Sequence, residues 1–245
     1  MKINQKISFK ASWQFINRKN GIKFKSPRLG CLKLDKIAIA VFLSGKRLLT
    51  TKSYHDLFRS ESAPGTEGVG VRDITILFTD LKGSTAMYDR IGDLRAFSLV
   101  RTHFAHLEKA INHFEGVQVK TIGDAIMAAF SQPENALKAA VEMIEAIRKF
   151  NETLVKPEEI RLKIGIHRGN SIVVSQNDRL DYFGQTVNVA ARVQGLADAD
   201  EIYLSEEVYR SKEVQEQLQS FHVNPENAKL KGVQEEWKVF RFKPC

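Results

Sequence analysis

Two short segments of the sequence place a carboxylate where a predicted strand ends. In "LFTDLKGST" Asp80 follows a β-branched run, and in "VKTIGDAIMAAF" Asp124 lies in a Gly-Asp turn between two strand-like pieces. Two such carboxylates, together with backbone oxygen and phosphate groups, suit Mg²⁺, which prefers hard oxygen ligands and takes few of them from the protein. Two simpler interpretations stay open, because Asp80 can cap the following helix and Gly-Asp is ordinary hairpin-turn chemistry.

A third segment, "LDYFGQTVNVAAR", carries an amide and a guanidinium on a predicted helix. Asn188 and Arg192 are four residues apart and therefore share a helix face. An amide and an arginine on one face suit a ribose and a phosphate, although a solvated polar stripe has the same pattern. Backbone N–H groups after Asp80, in "LKGST", offer a further place for phosphate.

Regularly alternating elements must position these segments. "DITILFTD" is apolar on both faces, which predicts a central buried strand, and a helix follows from Asp93, a predicted N-cap. Next come the hairpin, a second amphipathic helix around Ile144, a strand over "RLKIGIHRG" with "SIVVS" returning beside it, a helix over "GQTVNVAARVQGLA", and strands over "EIYL" and "EEWKVFRF". The order β-α-β-β-α-β predicts an α+β fold with a ferredoxin-like βαββαβ core and additional C-terminal strands and helices.

The chain divides near a Gly/Pro/Ser-rich linker at residues 60–72. Residues 1–59 include a pattern of two short strands around "SGK", but such a segment buries little core alone. We therefore expect the remnant of an upstream domain at 1–59 and the main domain at 73–243.

The positive charge is concentrated at the N-terminus. The net charge is +8, and nine lysines and arginines precede Asp35, the first acidic residue. Without these nine, 28 basic side chains remain against 29 acidic ones. A basic arm can touch phosphates or anionic lipid, but the near-neutral remainder argues against a nucleic-acid-binding protein.

Two features bear on location. The longest purely apolar run, "IAIAVFL", has seven residues, whereas roughly 20 are needed to span a bilayer. The two cysteines, Cys31 and Cys245, have neither disulfide-framework nor metal-ligand spacing. We therefore predict a cytoplasmic protein with no transmembrane segment.

Taken together and in this order, the three segments resemble the catalytic domain of class III nucleotidyl cyclases, over roughly Val71 to Phe242. "ILFTDLKGST" and "VKTIGDAIMAAF" are similar to the two metal-binding segments of that family, and "DYFGQTVNVAAR" to its purine and transition-state segment. The ending "LKGVQEEWKVFRF" resembles the closing strands. The resemblance implies an adenylyl cyclase that converts ATP to 3′,5′-cyclic AMP and pyrophosphate, with two Mg²⁺ or Mn²⁺ ions per active site.

The resemblance also implies roles for seven residues. It assigns the metal ions to Asp80, Asp124 and the carbonyl of Leu81. It assigns binding of the purine to Lys120 and Asp181. It assigns orientation of the ribose to Asn188 and stabilisation of the transition state to Arg192. In this family the metal aspartates come from one subunit and the other four residues from its partner, so we expect a head-to-tail homodimer.

The base can be predicted from hydrogen bonding between the purine and the Lys120–Asp181 pair. A lysine ammonium only donates and an ionised aspartate only accepts, which matches N1 and N6 of adenine. Guanine presents the opposite groups and would leave two mismatched polar pairs, each costing about 1–3 kcal/mol. The sequence therefore predicts ATP over GTP.

Five other residues have separate interpretations. Ser84 stands where many members of the family carry an aromatic residue, and Asn170 where an arginine is often expected. Lys231 is interpreted either as a polyphosphate contact or as a surface lysine. His103 and His106, three apart on a predicted helix, are expected on its solvated face because no third metal ligand accompanies them.

The main alternative is a non-catalytic cyclase-like module that senses nucleotide or pairs with another cyclase. A ferredoxin-like nucleic-acid binder would need stacking aromatics and basic residues on its sheet, which the near-neutral region does not supply. The sequence contains no "GGDEF"-like segment, which argues against a diguanylate cyclase, and no "GxxxxGK[ST]" loop, which argues against a P-loop enzyme. An upstream regulatory domain or partner is expected, and its signal stays open.

Overall fold

The computed structural model describes residues 50, 68–156, 158–176, 179–232 and 236–244. All of them belong to one compact unit that spans residues 46–245. The strands predicted around "SGK" lie outside the described residues. The first described strand begins at Val69, so the last four residues of the predicted linker are strand, and the proposed domain boundaries stay a prediction.

The elements alternate in the predicted order and continue beyond it. Along the chain they are β1 Val69–Leu81, α1 Ser84–Ile91, α2 Asp93–His113, β2 Val117–Ile122, β3 Ala125–Phe130, α3 Pro133–Asn151, β4 Leu162–Gln176, β5 Arg179–Phe183, α4 Gln185–Leu196, β6 Glu201–Ser205, α5 Glu206–Tyr209, α6 Lys212–Leu218, β7 Asn224–Lys229 and β8 Glu236–Phe242.

The described strands form one sheet in the order β2-β3-β1-β4-β6-β8-β7, with β5 paired to the end of β4. The pairs are antiparallel except β4 with β6. The first four strands have the order of a ferredoxin-like sheet, and β1 is central and buried, as predicted. The α+β fold with added C-terminal elements is therefore confirmed.

Helices cover both faces of this sheet. Helices α2 and α3 pack on one face, where alternate strand residues such as Leu77 and Ile166 join Leu107 and Ile144 in the largest apolar cluster. Helix α4 lies on the other face, where Ala190 packs with strand residues of the opposite parity. Strands with two covered faces read as continuous apolar runs, which explains "DITILFTD".

Two local predictions were wrong. "SIVVS" does not return beside "RLKIGIHRG", because both belong to the single long strand β4, and β5 is the returning strand. Asp93 does not cap α2, since the N-cap is Gly92 and Asp93 is the first helical residue. An acidic residue in the first turn still favours the helix, through its dipole.

No helix in the described part of the chain is long and apolar enough to cross a membrane.

Candidate active site

Asp80 and Asp124 lie at the same edge of the sheet. Antiparallel pairing of β1 with β3 sets the end of β1 beside the β2–β3 turn, and the Ile126 N–H donates to Thr79 Oγ1 at 3.0 Å. Gly123 makes this turn at a φ of 62°, a conformation that glycine adopts without steric cost. The structure thus brings together the two carboxylates that the sequence placed at strand ends.

The two carboxylates have different surroundings. Asp124 Oδ2 is buried and has no hydrogen-bond partner among the described residues, a costly state for a polar atom. Asp80 Oδ2 forms an ion pair with Lys163 Nζ. No group of three or more His, Cys, Asp or Glu side chains that could hold a metal occurs in the described residues. Two carboxylates and the nearby carbonyl of Leu81 are hard oxygen donors, so an orphaned carboxylate oxygen here fits a Mg²⁺ or Mn²⁺ ion that takes its other ligands from phosphate and water.

Lys163 is a residue of the candidate site that was not predicted from the sequence. It lies directly opposite Asp80 in the β1–β4 register, and its side chain is 19 % exposed. The signal was available in "RLKIGIHRG", where Leu162 and Ile164 face the core, so that Lys163 must face the other side of the sheet. The sequence does not give the register between β1 and β4, which places Lys163 next to Asp80.

Lys120 and Asp181 form an ion pair within one chain, although 61 residues separate them. Lys120 Nζ donates to Asp181 Oδ2 at 2.6 Å, and the second carboxylate oxygen accepts the Tyr182 N–H at 2.8 Å. The ammonium also lies 5.6 Å from the ring centroid of Phe183, within range of a cation–π interaction. The pair is partly buried, which strengthens its hydrogen bonds and fixes the direction in which it can meet a ligand.

Asn188 and Arg192 lie on the side of α4 that faces away from the sheet. The opposite side of the helix buries residues at helical spacing, including Thr186, Val189 and Val193. The Thr186 hydroxyl donates to the Asn170 carbonyl at 2.5 Å, which holds the start of α4 to β4. Asn188 is exposed and Arg192 is partly exposed.

The loop that carries Lys231 runs beside Arg192. A methyl group built on Gly232 would lie 3.5 Å from Arg192 Nη2, and Lys231 itself is exposed. Asn170 serves the sheet, since its Oδ1 accepts the Asp73 N–H at 3.2 Å next to the irregularity in β1.

A pocket of about 430 Å³ opens beside Leu81 and the start of α1. Its wall includes the small Ser84, apolar groups and several cationic side chains, among them Leu81, Lys82, Met87, Arg90, Lys156 and Arg161. The cations suit an anionic ligand, which would compete with the carboxylates that Lys82 and Arg161 already contact, Asp198 for the first and Glu159 with Asp200 for the second.

The prediction for the two histidines is half wrong. His103 is fully buried on the inner side of α2, whereas His106 is partly exposed and its ring lies 5.2 Å from that of Phe150. The spacing of Leu99, His103 and Leu107 already follows the apolar stripe, and we overlooked it because histidine is polar.

The seven predicted site residues therefore form three groups: the sheet edge with Asp80, Leu81 and Asp124, the ion pair of Lys120 with Asp181, and the outward side of α4 with Asn188 and Arg192. Among the described residues, no hydrogen bond or ion pair joins one group to another.

Comparison with known proteins gives a consistent result. The model of the adenylate and guanylate cyclase catalytic domain matches residues 69–243. An adenylate cyclase of Anabaena cylindrica is 34% identical over 206 residues, which cover 76% of this chain and 41% of that protein. A receptor-type guanylate cyclase of Caenorhabditis elegans is 28% identical over 144 residues, 54% of this chain and 13% of that protein. The chain therefore spans less than half of either relative.

The solved structures agree at the level of the fold. The adenylyl cyclase CyaB from P. aeruginosa superposes with a TM-score of 0.63 at 19% identity, covering 73% of this chain and 97% of that one. At this identity the likeness supports the fold alone. The sheet, the covering helices and the three groups of polar residues are thus arranged on a backbone that solved proteins also adopt.

Proposed function

The chain belongs to the adenylate and guanylate cyclase catalytic domain family, and on that basis we propose that it converts ATP to 3′,5′-cyclic AMP and pyrophosphate as a homodimer. The reaction joins the ribose 3′-oxygen to the α-phosphorus, and pyrophosphate leaves with its electron pair. The matching family covers both adenylate and guanylate cyclases, so the choice of base is a separate proposal.

The observation that carries the choice of ATP is the Lys120–Asp181 pair. Its donor and acceptor are assembled within one chain at 2.6 Å, and they match N1 and N6 of adenine. Both oxygens of Asp181 already accept a hydrogen bond, but each has a second lone pair for the base. Guanine would present a donor at N1 to Lys120 and an acceptor at O6 to Asp181, so both polar pairs would be unsatisfied.

The remaining residues orient and stabilise the substrate. Asn188 holds the ribose so that its 3′-hydroxyl faces the α-phosphorus, which lowers the entropic part of the barrier. Arg192 faces the charge that develops on the phosphoryl oxygens. Lys163 leaves Asp80 when nucleotide arrives, and the cationic pocket beside Leu81 takes the polyphosphate.

Asp80, Asp124 and the Leu81 carbonyl would hold the Mg²⁺ or Mn²⁺ ions. When bound, such ions promote deprotonation of the 3′-hydroxyl and neutralise phosphate charge. The Oδ2 of Asp124, which has no hydrogen-bond partner among the described residues, is the observation that supports this assignment.

A homodimer supplies what one chain lacks. Asn188 and Arg192 lie on the side of α4 that faces away from the sheet, and no hydrogen bond or ion pair among the described residues joins them to Asp80 or Asp124, so we infer that a second chain brings these groups together. In a head-to-tail pair, Asn188 and Arg192 of one chain lie against Asp80 and Asp124 of the other, and this arrangement gives two equivalent sites. A cytoplasmic location, where ATP is available, stays a prediction that cell fractionation tests.

The first experiment supplies purified protein with ATP or GTP, with Mg²⁺ or Mn²⁺, and separates the cyclic products by chromatography. We expect cyclic AMP as the main product. Asp80→Ala and Asp124→Ala should abolish metal-dependent turnover, and Asn188→Ala and Arg192→Ala should lower kcat more than they raise KM. Faster turnover of GTP contradicts the base assignment, and no product from a dimeric protein favours the non-catalytic module.

The second experiment tests the shared sites by mixing inactive chains. Asp124→Ala and Lys120→Ala chains should rebuild one intact site per heterodimer, about a quarter of wild-type activity after random pairing. Asp80→Ala mixed with Asp124→Ala is the matched control, since both changes fall on the same half and no intact site forms. If the first mixture stays inactive although heterodimers form, the sites are not shared.

A further inference from the structure

The pairing of β1 with β4 contains one irregularity, and Asn170 lies opposite it. The register shifts between Val71 and Ile74, so that Asn170 is the single β4 residue opposite the two β1 residues in between. An extra residue in one strand is a β-bulge. In this bulge Asp73 has a φ of 56°, which is uncommon for a non-glycine residue and persists where the surroundings hold it. The Asp73 N–H donates to Asn170 Oδ1 at 3.2 Å, so the side chain of Asn170 holds the bulge.

The backbone of the same residue contacts α4. Thr186, which is buried in the first turn of this helix, donates its hydroxyl to the Asn170 carbonyl oxygen at 2.5 Å. The strand and the helix approach each other closely here, since a methyl group built on Gly169 would lie 2.6 Å from the Thr186 hydroxyl oxygen. Asn170 therefore joins two elements, because its side chain binds the bulge of β1 and its carbonyl binds α4.

The first turn of α4 has no side-chain cap. Its N-cap is Gly184, which offers no side-chain acceptor to the free N–H groups of the turn. The residue before it, Phe183, accepts the Ser171 hydroxyl on its carbonyl oxygen at 2.8 Å, which is a second tie to β4. The direction in which the helix begins therefore depends on the hydroxyl of Thr186 together with apolar packing.

This direction decides where the polar groups of α4 lie. Thr186 faces the sheet, whereas Asn188 and Arg192 lie on the side of the helix that faces away from it. Arg192 is about 9 Å further along the helix axis than Thr186, at 1.5 Å per residue. A small tilt of the helix about its first turn therefore displaces the guanidinium. A misplacement of about 1 Å can slow a reaction by up to about 100-fold although every chemical group is still present.

We propose that Asn170 and Thr186 are positioning residues, which hold α4 at the angle that brings Asn188 and Arg192 to the nucleotide. This inference rests on the proposed function, because it takes Asn188 and Arg192 as the groups that act on ATP. In this role neither positioning residue touches the substrate. Their loss should slow turnover (kcat) more than it weakens binding of ATP (KM), and it should leave metal binding at the sheet edge unchanged.

Two substitutions at Thr186 isolate the contribution of its hydroxyl. Thr186→Val keeps the shape of the side chain and removes the donor, whereas Thr186→Ser keeps the donor. Thr186→Val should lower kcat for ATP about tenfold and change KM by less than about twofold, while Thr186→Ser should stay within about twofold of wild type in both. Mn²⁺ affinity, measured by electron paramagnetic resonance, should be equal in the three proteins.

The link to the bulge is tested at Asn170. Asn170→Ala removes the acceptor of the Asp73 N–H, and Asn170→Asp keeps an oxygen in its place. We expect kcat to fall about threefold in Asn170→Ala and to stay close to wild type in Asn170→Asp. Asn170→Ala combined with Thr186→Val should be no slower than Thr186→Val alone, because both changes release the same helix. Effects that multiply in the double variant would show that the two contacts act independently, and they overturn the coupling.

Two further measurements distinguish positioning from a loss of stability. Val214→Ala opens a cavity in the apolar cluster on the opposite face of the sheet, and it should lower the urea midpoint while kcat of the folded protein stays unchanged. Hydrogen exchange of the backbone amides of residues 185–189 reports on the start of α4 without an activity assay. This exchange should be faster in Thr186→Val than in Thr186→Ser.

Each outcome decides a different step. Equal exchange in Thr186→Val and Thr186→Ser overturns the hydroxyl contact as a support of α4. Faster exchange with an unchanged kcat overturns the positioning role, while the cyclase activity stands. A wild-type protein that makes no cyclic nucleotide overturns the proposed function and this role together. Asn170 is exposed, so Asn170→Ala should fold even if Thr186→Val does not, and an unchanged kcat in Asn170→Ala then decides against the proposal.

Discussion

Lys163 forms an ion pair with Asp80, opposite it in the β1–β4 register. A lysine thus neutralises one of the two carboxylates proposed to hold metal. A cation held in this way competes with a metal ion for the same oxygen. Removal of the lysine should therefore free Asp80 for a metal ion.

Lys163→Met should raise the affinity for Mn²⁺ in the absence of nucleotide. A partly exposed ion pair is worth about 1 kcal/mol, so removing the competitor should tighten binding about fivefold, measured by isothermal titration. Lys82→Met is the matched control, because Lys82 pairs with Asp198 at 2.7 Å, a carboxylate not proposed as a metal ligand. Equal affinity in Lys163→Met and wild type means that the ion pair does not compete.

Exchanging Lys120 and Asp181, the pair proposed to bind the base, should reverse base preference. The double variant Lys120→Glu, Asp181→Lys keeps an ion pair but presents an acceptor to N1 and a donor to position 6 of the purine, which matches guanine. We expect the ratio of kcat/KM for ATP to that for GTP to drop by at least about tenfold, because the two mismatched polar pairs now form with ATP instead of with GTP. Each single variant lacks the ion pair and should be slower with both nucleotides. A double variant that keeps the wild-type ratio contradicts the assignment.

Close packing of α4 on β4 should make Gly165 irreplaceable. A methyl group there would lie 2.1 Å from the backbone nitrogen of Gln194, which cannot move aside without displacing the helix that carries Asn188 and Arg192. Gly165→Ala should lower the free energy of unfolding by about 2 kcal/mol or more and reduce kcat, as urea denaturation and assay can show.

Gly195→Ala provides the control on the same helix. A methyl group at Gly195 would meet nothing within 4 Å, so this change should stabilise α4 by about 0.5–1 kcal/mol and leave kcat unchanged. Equal effects of the two substitutions would show that the approach of α4 to β4 is not the cause.

The stability should depend on pH through Glu207. Burial opposes its ionisation, but hydrogen bonds from His167, its own backbone and Ser205 prevail and lower the pKa of Glu207 to about 2, from 4.5. A depressed pKa in the folded state stabilises the fold above pH 4.5, and this contribution is lost as the pH falls from 4.5 towards 2. Because the side chain is 44% exposed, solvent screens the effect and we expect it to be modest.

Glu207→Gln isolates this contribution. The difference in unfolding free energy between wild type and Glu207→Gln should be largest near pH 6 and shrink between pH 4.5 and 3, measured by urea denaturation. A difference that stays constant over this range assigns the stabilisation to packing instead of charge.

Local chemistry along the chain determined most of the fold. Apolar runs in β1, helical spacing in α2 and α3, and the Gly123-Asp124 turn depend on neighbours a few residues away, so they predict elements and their order. The same locality explains why Asp80, Asp124, Asn188 and Arg192 were recognised as polar groups at strand ends and on one helix face. The errors at Asp93 and "SIVVS" concern element ends, which tertiary packing decides.

Only the tertiary structure decided which distant residues meet. Lys120 and Asp181 pair across 61 residues, Lys163 meets Asp80 through strand register, and His103 is buried on the inner side of α2. Each contact depends on how β4, β5 and α2 pack on the sheet, and residue types along the chain do not encode those distances. The sequence by itself therefore determined the elements and the chemical groups, while folding set the partners of each group.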